Sequence, residues 1–264
     1  MSDCLTPIVR ALDARTAPLT VFFRDDDTGW NWPALDRLLT AFEDRALPID
    51  LAVIPAEVDG VLARALLARR DAGSIGLHQH GWSHRNHEPA GRKCEFGQSR
   101  AIHDMRADVA AGRRVMEQWF GDAVDPIFTP PWNRCVPALA ALLPELGFRV
   151  LSRDRTAGPS GVDRLVDRPT TIDWFARRHG VRLTRDAWVE DAAAQCRSES
   201  TIGVLLHHAV MSDDEIRQAA SFGAALASHA SCRMCRLLEA SGVGPGPSFA
   251  GDGGLVAGTR EVPR

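Results

Sequence analysis

Short apolar runs alternate with longer amphipathic runs along most of this chain. The alternation predicts strands at residues 19–24, 49–54, 74–79, 126–129, 148–152, 170–174 and 202–208. It predicts helices at residues 33–46, 58–70, 99–119, 136–146, 186–198 and 212–240. Strands that alternate with helices favour a parallel sheet with crossover helices, and unbroken apolar strands are typical of burial on both faces. We therefore predict an α/β fold, namely a distorted (β/α) barrel of about seven parallel strands in a single domain.

The domain limits follow from where this alternation begins and ends. Residues 1–18 precede the first predicted strand, and residues 19–240 carry the barrel. Residues 241–264 are rich in glycine and proline, which predicts a loose tail. A chain of 264 residues is long enough for one such barrel.

Charge and composition exclude several classes of partner. The net charge of −3 argues against nucleic acid or an anionic membrane as the main partner. No apolar run approaches the roughly 18–20 residues of a membrane span, and the first residues do not resemble a signal peptide. We expect a cytoplasmic protein. The C-x-x-C pair of Cys232 and Cys235 lies in a predicted helix, lacks a second cysteine pair, and is interpreted as structural.

Polar residues follow five of the predicted strands. They form the stretches RDDD (24–27), HQHGWSHRNH (78–87), FTPPWNR (128–134), DW (173–174) and HH (207–208). In a parallel barrel the C-terminal ends of the strands meet at one face, and active sites lie at that face. These stretches therefore predict one functional site at that face.

The acidic run and the histidine-rich run together predict a metal site. Three adjacent carboxylates repel one another, and a bound cation would remove that repulsion; a solvated turn is the alternative. His80 and His84 share a face if they lie on a single helical turn, although a pair of surface histidines has the same spacing. One carboxylate and two imidazoles leave open positions on one divalent ion, with zinc favoured over cobalt, manganese or nickel. A second carboxylate would act as general base and another histidine as general acid.

In this order, the stretches resemble the motifs of the polysaccharide deacetylase family, the nodulation-deacetylase homology domain of the carbohydrate esterases. FRDDD resembles T-F-D-D-G, and IGLHQHGWSH places His80 and His84 on the two histidines of H-[ST]-x-x-H. FTPPWN resembles an R-P-P-[YW] motif, DW resembles the fourth motif, and LLHH resembles L-x-H-[DN]. The resemblance spans residues 20–210 and implies a distorted (β/α) barrel of about seven strands.

The resemblance also implies a role for each matched residue. Asp25 would be the catalytic base, Asp26, His80 and His84 the metal ligands, and His207 the general acid. Trp132 would line the acetyl pocket. The full set of substrate-binding candidates, taken from the motifs and from the loops beside them, is Trp132, Asn133, Pro131, His78, His87, His208, Arg92, Asp173 and Trp174.

Three departures from the family pattern leave alternatives open. Asp27 replaces the glycine of the first motif, so the register could shift by one, with Asp26 as base and Asp27 as ligand. Thr129 replaces the arginine of the third motif, and the candidates to supply that charge are Arg24, Arg134 and Arg153. His208 stands where an acid is usual, so either histidine of the pair could be the proton donor.

The leading hypothesis is a metal-dependent hydrolase that removes the N-acetyl group from an acetylated amino sugar. The substrate would be a small, oligomeric or lipid-linked saccharide. Two alternatives are a metal-free cyclic amide or imide hydrolase of the same fold, and a non-catalytic binding domain. The missing arginine of the third motif favours the last of these, whereas the intact acids and histidines favour an enzyme.

Overall fold

The computed structural model describes residues 5–73 and 75–244, so residues 245–264 of the predicted tail lie outside the described residues. The strands of the main sheet are β1 Leu19–Thr28, β2 Ile49–Val53, β3 Ile75–His80, β4 Val124–Thr129, β5 Val150–Leu151, β6 Val166–Asp167, β7 Ile172–Asp173, β10 Thr201–Leu206 and β11 Cys232–Met234. A separate hairpin consists of β8 Arg177–Arg178 and β9 Val181–Arg182. The helices are α1 Thr6–Asp13, α2 Trp32–Glu43, α3 Gly60–Asp71, α4 Ile102–Phe120, α5 Pro137–Leu142, α6 Arg185–Ser198, α7 Asp213–Ala227 and α8 Leu237–Ala240.

The main sheet is parallel throughout and has the order β6-β5-β4-β3-β2-β1-β10-β7, with β11 beside the start of β1. The extended stretch 166–174 joins the two edges of this sheet. Its first half donates backbone hydrogen bonds to Leu151 and Arg153, and its second half donates to Gly203 and Leu205. The predicted α/β class and distorted parallel barrel are therefore confirmed.

The predicted helix 212–240 is wrong in its second half. The helix α7 ends at Ala227, and the chain then forms β11 and the short α8. The reason is an open edge at the start of β1, because β10 pairs with one edge from Thr20 whereas β2 pairs with the other edge only from Arg24 onward. Leu19 donates its N–H to Ser231, and Val21 accepts the N–H of Cys235. Backbone groups that must be satisfied on burial thus override the local helical pattern.

The first residues of the chain pack on the barrel. In α1 the apolar side chains of Ile8, Ala11 and Leu12 are buried and belong to the same core as β1 and α6. Their spacing places them on one helical face, which is the face that a helix buries against a sheet or another helix. Among the described residues, no helix is both long enough and apolar enough to cross a bilayer.

Two buried acids lie at the end of the barrel where the strands begin. Asp50 is fully buried and accepts the backbone N–H of Leu237 at 2.6 Å, while its other carboxylate oxygen has no hydrogen-bond partner among the described residues. Gly76 leaves room for Asp50 and Asp125, since a β-carbon there would collide with the Asp50 carboxylate. Burial and the charge of Asp125 raise the pKa of Asp50 to about 8.

This raised pKa makes stability depend on pH. The pKa of Asp50 is about 8 in the folded state and about 4 in the unfolded state. Unfolding therefore releases a proton at any pH between these two values. The contribution of Asp50 to stability is therefore present at low pH and lost as the pH rises toward 8 and above. Asp50→Asn cannot ionise and keeps an oxygen for Leu237. We expect the difference in free energy of unfolding between the variant and wild type to increase by about 1–3 kcal/mol, in favour of the variant, from pH 5 to pH 9.

Denaturant unfolding of both proteins at the two pH values measures this difference. Asp44→Asn, at an exposed position just after α2, is the matched control and should change little. A gain for Asp50→Asn that is equal at pH 5 and pH 9 would contradict the protonation of Asp50 in the folded protein.

Candidate active site

A bulge at the end of β1 separates the three consecutive acids. The pairing of β1 with β2 shifts register between Asp25 and Thr28, and Asp27 has a φ of 68°. A bulge redirects side chains that would otherwise alternate between the two faces of a strand. As a result, Asp25, Asp26 and Asp27 each contact a different partner.

Asp27 forms a cluster with the two histidines that the sequence predicts as ligands. Its Oδ1 atom lies 3.3 Å from Nε2 of His80 and 3.0 Å from Nε2 of His84. The three potential ligand atoms lie within 4.8 Å of one another. The structure therefore brings Asp27 to the histidines, in the place that the resemblance gives to Asp26.

The donor atoms of this cluster fit a divalent metal ion. Nδ1 of His80 lies 3.0 Å from the carbonyl oxygen of Thr129, and donation there leaves the lone pair of Nε2 for a metal. Oδ1 of Asp27 and Nε2 of His80 are buried and have no hydrogen-bond partner in good geometry among the described residues. Although burial alone would raise the pKa of Asp27, its contacts with His80 and His84 hold that pKa well below its usual range. One ionised carboxylate with two imidazoles is a common set of zinc ligands.

The loop after β3 is held by a buried carboxylate. Residues 82 and 83 form a bend, so His80 and His84 come together without the helical turn on which their shared face would have depended. Glu95 accepts the backbone N–H groups of Trp82 and Ser83, at 3.2 and 2.7 Å, and the Ser83 hydroxyl. Gly81 has a φ of 56°, and a β-carbon there would collide with Glu95 and with Pro131. These contacts position His84, whose own φ is 53°.

Asp26 forms a buried ion pair with Arg24, which lies on the same face of β1. Two hydrogen bonds of 2.8 and 3.0 Å join the guanidinium to both carboxylate oxygens. Arg24 also donates to Asn133 at 2.6 Å and to Ser152 at 2.8 Å, and it is fully buried. Of the three candidates for the missing arginine of the third motif, Arg24 is therefore the one that contacts an acid of the first motif.

Asp25 is fully buried and pairs with His208. Its carboxylate lies 2.5 Å from Nδ1 of His208 and accepts the His208 backbone N–H at 2.9 Å. Nε2 of His208 lies 2.8 Å from the carbonyl oxygen of Trp30. Both ring nitrogens thus face acceptors, so the imidazole carries two protons. Burial opposes this charge, but Asp25 raises the pKa of His208 to about 9. Asp25 and His208 are thus paired with each other and with Trp30, although the resemblance gives Asp25 the role of base and leaves His208 open as a substrate contact or acid.

His207 is half-buried at the end of β10 and lies near the metal cluster. It follows Leu205 and Leu206, which pair with Asp173 on β7 and with Asp25 on β1, so the register brings it to the strand ends that carry these acids. Burial raises the pKa of Asp173, whereas the charge of His207 acts on it in the opposite direction. The Phe175 ring lies 6.4 Å from the His207 ring. The structure therefore brings His207, rather than His208, to the open part of the site.

Two tryptophans contact the ring of His84. Trp132 lies 4.3 Å from it between ring centres, and Trp30 lies 4.7 Å from it. Trp132 and Asn133 both have positive φ, at 54° and 59°. Sequence reasoning missed Trp30, although its place at the end of DDDTGW, directly after the acidic run, is a signal that could have indicated it.

The other predicted substrate contacts lie in different environments. His78 is fully buried against the Thr129 hydroxyl at 2.9 Å, and burial holds its pKa well below the usual value. Trp174 is buried in the core against Trp188, at 4.9 Å between ring centres. His87 is half-buried and Arg92 is exposed, both in the loop between β3 and α4.

Comparisons with known proteins show what the fold resembles. Neither family models nor curated proteins match the sequence. Among solved structures, a candidate polysaccharide deacetylase from Mycobacterium smegmatis aligns with a TM-score of 0.65 and 17% identity, over 87% of this chain and 91% of that one. The chitin deacetylase of Colletotrichum lindemuthianum aligns with a TM-score of 0.54 and 13% identity, over 87% and 90%.

A third structure is a family 4 acetyl xylan esterase from Clostridium thermocellum, in complex with a cobalt ion. It aligns with a TM-score of 0.51 and 16% identity, over 87% of this chain and 95% of that one. Identities this low establish the fold and nothing finer. The chain has the polysaccharide deacetylase fold, which family 4 carbohydrate esterases share.

Proposed function

We propose that this protein is a metal-dependent hydrolase that removes the N-acetyl group from an acetylated amino sugar. The observation that carries the proposal is the cluster of Asp27, His80 and His84, whose ligand atoms lie within 4.8 Å of one another and include two buried atoms without a hydrogen-bond partner in good geometry among the described residues. The substrate would be a small, oligomeric or lipid-linked saccharide. The chitin deacetylase and the cobalt complex among the similar folds support this reading.

Asp27, His80 and His84 would hold one divalent ion, zinc in the first place and cobalt, manganese or nickel as alternatives. Such an ion, when bound, supplies Lewis-acid activation of the acetyl carbonyl and of water. Its ligand set corresponds to the shifted register of the acidic motif. Asp26 would then be the general base in place of Asp25.

The remaining roles belong to side chains that the structure orients. Arg24 fixes both oxygens of Asp26, so the carboxylate is held ready to accept a proton from the attacking water. His207 would donate a proton to the leaving amine nitrogen, with Asp173 beside it. Trp132, against His84, would form a wall of the acetyl pocket.

The two alternatives explain less of this geometry. A metal-free hydrolase has no use for two buried ligand atoms without hydrogen-bond partners. A binding domain has no use for a carboxylate that a buried arginine holds by two hydrogen bonds at the edge of that cluster.

Metal content distinguishes the two registers of the acidic motif, in which the metal ligand is either Asp26 or Asp27. We expect wild-type protein to retain about one divalent ion per chain after dialysis and His80→Ala/His84→Ala to retain none. Asp27→Asn should lose most of the metal because it removes an anionic ligand, whereas its neighbour Asp26→Asn should keep it. Elemental analysis measures all four proteins, with circular dichroism as the check on folding. Loss in Asp26→Asn together with retention in Asp27→Asn would restore the unshifted register.

Acetate release from N-acetylglucosamine oligomers tests the reaction. We expect metal-loaded wild type to release acetate, and Asp26→Asn to lose about 10²–10⁴-fold in kcat while keeping its metal. Arg24→Lys should lose at least about 10-fold in kcat, because lysine cannot make the two parallel hydrogen bonds to Asp26. Arg69→Lys, at another arginine that pairs with two acids far from the site, is the matched control. If the metal-loaded protein releases no acetate from any N-acetylated sugar, the proposal is wrong.

A further inference from the structure

The loops around the candidate site carry more positive charge than the rest of the chain. The loop after β3 contains Arg85, Arg92 and Lys93, and the loop after β4 contains Arg134. Residues 174–185, which follow β7, contain four arginines, one histidine and no acid. The chain as a whole has a net charge of −3. Positive charge is therefore concentrated at the face where the barrel strands end.

Backbone contacts bring three of these cations together. Arg134 donates from its guanidinium to the carbonyl oxygen of Lys93 at 3.1 Å. Val136 donates its N–H to Phe96 at 2.9 Å, so residues 93–96 run beside residues 134–136. Arg92, Lys93 and Arg134 consequently lie on neighbouring segments. They are called the cationic ridge below.

Short stretches of chain join the cationic ridge to residues that contact or position His84. Arg134 follows Trp132 by two residues, and the Trp132 ring contacts His84. Lys93, in the other segment of the ridge, precedes Glu95 by two residues. Glu95 accepts backbone N–H groups of the bend that leads to His84. A group bound by the ridge would therefore lie near a substrate whose acetyl group reaches the cluster.

No acid lies within ion-pair distance of the cationic ridge among the described residues. Arg92, Lys93 and Arg134 form no ion pair there, whereas Arg100 pairs with Asp108 and Arg153 pairs with Asp167. The acids of the same loop have other partners. Glu88 accepts the N–H and hydroxyl of Ser99, and Glu95 accepts those of Ser83. Burial and the charge of Arg92 lower the pKa of Arg134, whereas the carboxylate of Asp154 acts on it in the opposite direction.

We propose that the cationic ridge binds an anionic group, a phosphate or a carboxylate, on the saccharide that carries the N-acetyl group. This inference rests on the proposed function and adds to it a preference for anionic sugars over neutral ones. Guanidinium groups bind phosphate and carboxylate through paired, charge-assisted hydrogen bonds. Like charges gathered at the mouth of a site also raise the local concentration of an oppositely charged substrate.

Calorimetric titration of the full chain, freed of metal by a chelator, tests the ridge without turnover. Metal removal matters because phosphate and carboxylate would otherwise bind the ion itself. The probes are N-acetylglucosamine 6-phosphate, N-acetylmuramic acid and neutral N-acetylglucosamine at low ionic strength. We expect at least one anionic probe to bind about 10-fold more tightly than the neutral sugar, with the preference weakening in high salt. The two anionic probes distinguish phosphate from carboxylate.

The variant Arg92→Ala/Arg134→Ala should remove this preference and leave the weak binding of the neutral sugar unchanged. Arg114→Ala, at an exposed arginine in the second half of α4 and away from the mouth, is the matched control and should retain it. Equal affinity for all three probes, or a preference that survives in the double variant, overturns the proposal. If the ridge binds anions but the metal-loaded protein releases no acetate, the proposed function fails and the subsite stands.

Discussion

The buried ion pair of Arg24 and Asp26 is the interaction on which the rest of the site depends. A guanidinium inside a barrel is costly to bury unless every donor finds an acceptor. Each guanidinium nitrogen of Arg24 has an acceptor, in Asp26, in Asn133 in the loop after β4, or in Ser152 directly after β5. One side chain thus ties three strand ends together. A change at any of these acceptors leaves part of a buried charge unpaired.

The same pair determines where the neighbouring acids lie. Since Asp26 shares the face of Arg24, Asp25 lies on the opposite face, where His208 neutralises it. The bulge then carries Asp27 out to the histidines. Three identical side chains in sequence therefore have three separate environments: a buried ion pair with histidine, a buried ion pair with arginine, and a half-open cluster suited to a metal.

The barrel was predictable from the sequence because parallel strands buried on both faces leave continuous apolar runs such as LAVI and GVLL. The histidines of the site were predictable because few structural roles require so many imidazoles together. The identity of the acid beside them was not, since adjacent aspartates have the same chemistry and only the bulge, a backbone feature, distinguishes them. The strand β11 could not be predicted from the local sequence either. Its formation depends on the edge that β2 leaves open at the start of β1, more than 200 residues earlier in the chain.

The backbone around the site also limits how such a protein can be improved. Asp27, His84, Trp132 and Asn133 all adopt positive φ, a conformation that costs side-chain-bearing residues free energy and that glycine adopts freely. Glycine at any of these positions would relieve the strain and, in the same step, delete a group that the site uses. Stability and chemistry therefore compete at individual residues here. Selection for thermal stability alone is therefore expected to replace residues of this site before residues of the barrel core.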